Sequence, residues 1–160
     1  METVVQQPLE NLAVLKNAEA RPRWLPLLLI WLLALGLRLG LSQTARVVWG
    51  DEPFYLWLGH NLVTGQGYEF MGSADVHHGP LLPILAGGLY LLVGELELAS
   101  ELLYALFGSL LVLPIYGLGQ EMADRRVGFA AAGLTAVFPA LTAATLHWGT
   151  MTEPIYLFFV

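Results

Sequence analysis

The chain has 160 residues, of which 56% are hydrophobic types and 12% charged, and its mean hydropathy is +0.62. A soluble domain carries about 25% charged residues, so this composition excludes a disordered segment and argues against an ordinary water-soluble domain. A net charge of −6 argues against nucleic-acid binding, which needs a basic face, and the absence of cysteine excludes a disulfide framework and a thiolate metal site.

Residues 1–23 are polar and mixed, with Lys16, Arg21 and Arg23 just ahead of an apolar stretch, and read as a cytoplasmic tail. Residues 24–37 carry no charge and the run continues past Arg38 to Leu41, which predicts a first membrane span over 24–42. Arg38 falls near its far end, where a long side chain can snorkel to the headgroups. A signal peptide also sets a basic region before an apolar one, but this tail is long and no A-x-A-like site follows.

The segment 42–79 is different in kind. It holds Trp49-Gly50-Asp51-Glu52-Pro53 and then Phe54, Leu58 and Leu62 at helical spacing, with Trp57 beside them. This pattern predicts a helix over 54–64 lying in the membrane interface, a depth that Trp and Tyr favour. Three apolar runs follow. Residues 80–94 contain Pro83, Gly87 and Gly88, residues 102–120 are uncharged, and residues 127–152 contain Pro139. Spans are expected over 101–120 and 127–147, with the start of another at 154. Gly87-Gly88 and Gly128/Gly133 are candidate close helix contacts.

Whether 80–94 crosses the membrane decides the topology. If it lies along the surface, Lys16, Arg21, Arg23, Arg125 and Arg126 share the cytoplasmic side and only Arg46 is outside. If it crosses, the basic residues divide three against three. The positive-inside rule prefers the first arrangement. A helix of these residues also rises only about 22 Å, less than the roughly 30 Å of hydrocarbon. The N-terminus is then cytoplasmic, 43–100 form a long external segment, and Asp51, Glu52 and Glu153 all face outward. The expected fold class is all-α: polytopic transmembrane helices with interfacial helices over 54–64 and 80–94. The chain ends inside the apolar run that begins at Pro154, which reads as the N-terminal part of a longer membrane protein.

Several residues could carry chemistry. Asp51-Glu52 follows a span and precedes Pro53, which suits the first position of a helix. These acids read either as an exposed loop pair or as a general base for an attacking hydroxyl or amine. Thr152-Glu153-Pro154 reads as a helix start, with Glu153 either complementing the helix dipole or serving as a second active-site carboxylate. His77-His78 offers two imidazoles, either idle in a loop or aimed at a ligand. A metal there would need help from Asp51, Glu52 or Asp75, so a divalent cation stays open. Arg125-Arg126 reads as a topology determinant.

The ordered set runs from Trp49-Gly50-Asp51-Glu52-Pro53 through His78-Gly79-Pro80-Leu81, Leu92-Val93-Gly94-Glu95 and Asp124-Arg125-Arg126-Val127-Gly128. It continues with Ala130-Ala131-Ala132-Gly133-Leu134, Phe138-Pro139-Ala140 and Thr152-Glu153-Pro154. It resembles the N-terminal part of membrane glycosyltransferases of the C-type fold, closest to the protein mannosyltransferase and aminoarabinose transferase relatives, over about residues 24–160. The resemblance implies transfer of a sugar from a polyprenyl-phosphate carrier to a lipid, glycan or protein acceptor outside the cytoplasm, by an inverting displacement in the plasma membrane. It implies that Asp51 is the catalytic base, that Glu52 shapes the acceptor site and that Glu153 is the acid of the second external loop. Arg46, His77 and His78 are the candidate substrate-binding residues. Two other classes stay open: an ion-coupled transporter, and a non-catalytic membrane assembly partner.

Overall fold

The computed structural model describes residues 24–42, 50–142 and 152–159. The expected cytoplasmic tail, Arg46, and the end of the third expected span at 143–147 lie outside the described residues. The described chain is mostly helical. Its elements are α1 (Leu25–Ser42), α2 (Glu52–Val63), the strands β1 (Glu69–Phe70) and β2 (Ser73–Ala74), α3 (Leu81–Val93), α4 (Leu96–Leu110), α5 (Val112–Met122), α6 (Arg125–Val137), α7 (Pro139–Thr142) and α8 (Glu153–Phe159).

Proline sets many of these boundaries. Pro26, Pro53, Pro139 and Pro154 occupy the first or second position of α1, α2, α7 and α8, where the missing amide has no helical partner to lose. Pro114, third in α5, cannot donate to the Leu110 carbonyl, and α4 gives way to α5 at Leu111. Residues 96–122 otherwise run as one apolar helix of 27 residues, about 40 Å long. With α1 they make, among the described residues, two helices long and apolar enough to cross a membrane. The helix begins at Leu96, five residues before the expected span, so Glu97, expected outside it, rides on the first turn. By contrast α3 has 13 residues and rises only about 20 Å.

The expected span over 127–147 is interrupted. Phe138 has φ −64° and ψ 119° and ends α6 after 13 residues. Pro139 explains it, because its ring disfavours the helical conformation at the residue before it.

The long α4–α5 helix organises the packing. Around α4, one core joins Tyr55, Leu82, Ala86, Leu103 and Ile155 from α2, α3, α4 and α8. Around α5, a second joins Ala34, Val112, Ala132 and Ala136 from α1, α5 and α6. Helix pairs approach closely where glycine removes the side chain. A Cβ on Gly59 would lie 2.7 Å from the Pro83 carbonyl oxygen, and one on Gly119 would lie 2.9 Å from the Gly128 Cα. Gly128 and Gly87 are thus contact glycines, as the sequence suggested, whereas Gly88 and Gly133 face open space.

Arg38 departs from expectation. Its side chain does not reach outward but is 3% exposed, inside the packing of α1, α4 and α6. Nη1 donates to the carbonyls of Ala34 (3.0 Å) and Ala136 (3.5 Å). Ala136 belongs to the last turn of α6, whose carbonyls lack helical donors, and a cation complements that helix end. Gly108 makes the room, since a Cβ there would sit 2.8 Å from Arg38 Nε.

Helix α1 leaves Leu25, Leu29, Leu32 and Leu33 more than two-fifths exposed. Each large aliphatic side chain left in water forgoes about 1.5–3 kcal/mol of burial. This surface suits an apolar solvent or an apolar partner.

Candidate functional site

The site forms at the start of α2. Gly50 turns the chain with φ 65°, a conformation glycine adopts without strain. Asp51 then caps α2 through its backbone only: its carbonyl accepts from the amides of Phe54 (3.1 Å) and Tyr55 (3.2 Å), while its side chain makes no capping bond. The carboxylate is exposed and uncommitted to the helix end. Glu52, the next residue, goes the other way. It is 0% exposed, and Ser100 Oγ of α4 donates to its Oε1 at 3.4 Å. The expectation that Glu52 would open beside Asp51 onto one compartment is therefore corrected. One step along a helix rotates the side chain by about 100°, which is enough to carry it from the surface into the α2–α4 contact.

One turn after Asp51 stands Tyr55, which is largely buried. Its phenol is hydrogen-bonded with the Thr152 side chain and feels the charges of Asp51, Glu153 and Asp75. Burial pushes the phenol above its ordinary range and the three carboxylates push it the same way, against the Thr152 hydrogen bond. Tyr55 thus stays protonated at neutral pH and can donate to a ligand. Glu153 reaches this cluster because it opens α8, where the Tyr156 amide bonds the Thr152 carbonyl at 3.0 Å. Asp51 and Glu153, 102 positions apart in the sequence, thus act on one phenol.

A hairpin supplies the rest of the wall. Met71 and Gly72 both have positive φ, 51° and 79°, as a two-residue turn of the primed type requires. The Asn61 side chain donates to the Glu69 carbonyl at 2.8 Å and ties β1 to α2. Phe70 packs on Phe54 and Trp57 at centroid distances of 4.6 and 6.0 Å. Beyond β2, Asp75 organises a turn. Its Oδ1 accepts from the amides of His77 (3.0 Å) and His78 (2.9 Å), and its Oδ2 lies 2.9 Å from His78 Nδ1. These hydrogen bonds, those from His78 foremost, hold the Asp75 carboxyl below its usual range. The contribution is therefore present above the unfolded pKa of about 3.9 and is lost as pH falls through the lower folded value. Accordingly, Asp75→Asn should speed amide exchange at His77 and His78 at neutral pH, and the wild-type turn should loosen only below about pH 4. Unchanged protection in the variant would show that Asp75 does not hold the turn.

The two histidines separate. His77 is exposed and joined to Asp75 through its amide. The ring of His78 stacks on Phe54 at 5.0 Å and meets Tyr55 edge-on at 5.3 Å. Tyr68 donates to the His78 carbonyl at 2.8 Å. Beside this cluster a cavity of about 400 Å³ is lined by Tyr55, Gly79, Pro80, Leu82, Thr152 and Tyr156. Its lining is mostly apolar, with hydroxyls from Tyr55, Thr152 and Tyr156. Among the described residues no three His, Asp or Glu side chains gather to hold a metal ion.

Arg125 and Arg126 stand at the opposite end of the molecule. Ser100, which touches Glu52, and Met122, which precedes their turn, are 22 residues apart on one helix, about 33 Å along its axis. There Asp124 caps α6 by accepting from the amides of Arg126 (2.8 Å) and Val127 (2.9 Å).

Sequence reasoning missed Tyr55 as the centre of the site and considered Asp75 only as a helper for a metal. The available signals were the one-turn spacing of Asp51 and Tyr55 and the i, i+3 spacing of Asp75 and His78. No protein-family model matches the chain, and no curated protein sequence or solved structure is significantly similar to it.

Proposed function

We propose that this chain belongs to an integral-membrane glycosyltransferase that moves a sugar from a polyprenyl-phosphate carrier to an acceptor on the outer face of the plasma membrane. The observation that carries the proposal is the Tyr55 phenol, hydrogen-bonded with Thr152 and within range of the Asp51 and Glu153 charges, beside a mostly apolar cavity that it helps to line. An acceptor hydroxyl or amine needs a carboxylate at the reacting end, and a lipid-linked donor needs the apolar wall. The ordered sequence pattern and the exposed leucines of α1 support the same reading.

In this account α1 leaves the cytoplasm and α4–α5 returns to it. The α2 and α3 helices lie along the outer surface, and the Arg125-Arg126 turn is cytoplasmic. Asp51 accepts the acceptor's proton as oxygen or nitrogen attacks the anomeric carbon from the face opposite the carrier phosphate, which inverts the centre. The Tyr55 hydroxyl and Glu153 orient the acceptor. Glu52, held under the site by Ser100, supports α2 rather than touching substrate.

A transporter would need an ionisable group facing a pathway within a span. The buried charge of α1, Arg38, instead serves the end of α6, which favours the transferase. The test is transfer of labelled sugar from a polyprenyl-phosphate donor by the full-length protein in lipid vesicles. Transfer is expected; ion flux without sugar transfer would overturn the proposal.

A further inference from the structure

Asp51 gives the acceptor's proton a destination, but the departing phosphate also needs stabilisation. The ionisable groups around Tyr55 from every element packed there are Asp51, Asp75, Glu153, Tyr68 and His78. Three of these are carboxylates, which repel a departing anion, and the neutral Tyr68 hydroxyl is committed to the His78 carbonyl. Of this set only His78 can carry a positive charge.

The geometry of His78 is that of a firmly oriented imidazole. An ionised carboxylate only accepts hydrogen bonds, so the 2.9 Å contact with Asp75 Oδ2 places a hydrogen on Nδ1. Stacking on Phe54, at an interplanar angle of 14°, and edge contact with Tyr55 fix the ring plane. Nε2 makes no hydrogen bond among the described residues. The side chain is 18% exposed, so a ligand can reach it. The ionised Asp75 accepts that hydrogen in a charge-assisted bond.

We propose that His78, held by Asp75, donates its Nε2 hydrogen to the leaving phosphate of the carrier, an assignment that rests on the transferase reading. The acceptor's O–H or N–H bond breaks and its proton goes to Asp51 while the new bond to the anomeric carbon forms. The bond from that carbon to the carrier's phosphate oxygen breaks, and its electron pair stays on the oxygen. That oxygen takes the Nε2 proton and His78 becomes neutral. Exchange with solvent then removes the proton from Asp51 and restores the one on His78. Asp75 is a positioning residue, acting only through the imidazole.

The experiment uses full-length protein in vesicles with a polyprenyl-phosphate-linked sugar. His78→Gln should lower kcat about 100-fold and change KM by less than about threefold. Asp75→Asn should lower kcat less, with the same split. Independently of turnover, nitrogen-15 resonances of His78 should report a hydrogen-bonded, protonated Nε2 when polyprenyl phosphate alone is added. A His78→Gln rate within about threefold of wild type, or a His78 resonance that bound polyprenyl phosphate leaves unmoved, would overturn the assignment while a dead Asp51→Asn variant kept the transferase reading. A wild-type protein that transfers no sugar would remove both.

Discussion

Asp51→Asn should lower kcat for sugar transfer by about 10²–10⁴-fold, the range general-base catalysis contributes, or roughly 3–5 kcal/mol in the barrier. Asparagine keeps the size and much of the polarity of the side chain but cannot accept a proton at neutral pH. The Asp51 carboxylate makes no capping bond, and the bonds that begin α2 come from its carbonyl, so the variant should fold and insert normally. KM should move little, because the group acts in the transition state. A variant that transfers sugar at the wild-type rate would remove Asp51 from the chemistry. Glu52→Gln is the comparison. It alters a buried group bonded by Ser100, so its effect should fall on stability.

The second large effect is expected at the crossing of α2 and α3. A Cβ on Gly87 would collide with the Gly59 carbonyl oxygen and lie 2.9 Å from Val63 Cγ1, whereas one on Gly88 would meet nothing within 4 Å. The Gly59 oxygen is backbone and cannot swing aside. Gly87→Leu should therefore force the helices apart at a cost of about 3 kcal/mol or more, the upper end of overpacking effects. Gly88→Leu, one residue on, should be neutral or stabilising by up to about 1 kcal/mol, because leucine is the better helix former. Thermal unfolding of the two purified variants measures the difference. Because α2 carries Tyr55 and is capped by Asp51, and α3 follows the Gly79-Pro80 wall of the cavity, Gly87→Leu should also lose activity. Equal stability of the two variants would mean that the close approach is not what joins α2 to α3.

Much of this architecture was readable in the residues. Long uncharged runs marked α1 and the α4–α5 helix, and Pro53 and Pro154 marked the starts of α2 and α8. What failed did so for local reasons. The third run looked continuous because apolar content does not register a break, yet Pro139 acts on Phe138 and ends α6 there. Arg38 was expected to seek water, but a slot over Gly108 and the open carbonyl at Ala136 offered it partners inside. The hairpin has two-residue strands, too short for any alternation to appear. Adjacent acids could not be told apart on paper, because the rotation that exposes Asp51 and buries Glu52 depends on where α2 begins. Tyr55 drew no notice in an aromatic-rich stretch until α8 brought Thr152 and Glu153 against it.

Sidedness is the premise of the whole account, and residues 1–160 contain no cysteine to compete with an introduced label. Asp51, Arg125 and Glu153 are each exposed, so single Asp51→Cys, Arg125→Cys and Glu153→Cys variants of the full-length protein can be treated in intact cells with a membrane-impermeant maleimide. The account predicts labelling at 51 and 153 from outside, and at 125 only after the membrane is permeabilised. Labelling of 125 from the same side as 153, or of 51 and 153 from opposite sides, would contradict it.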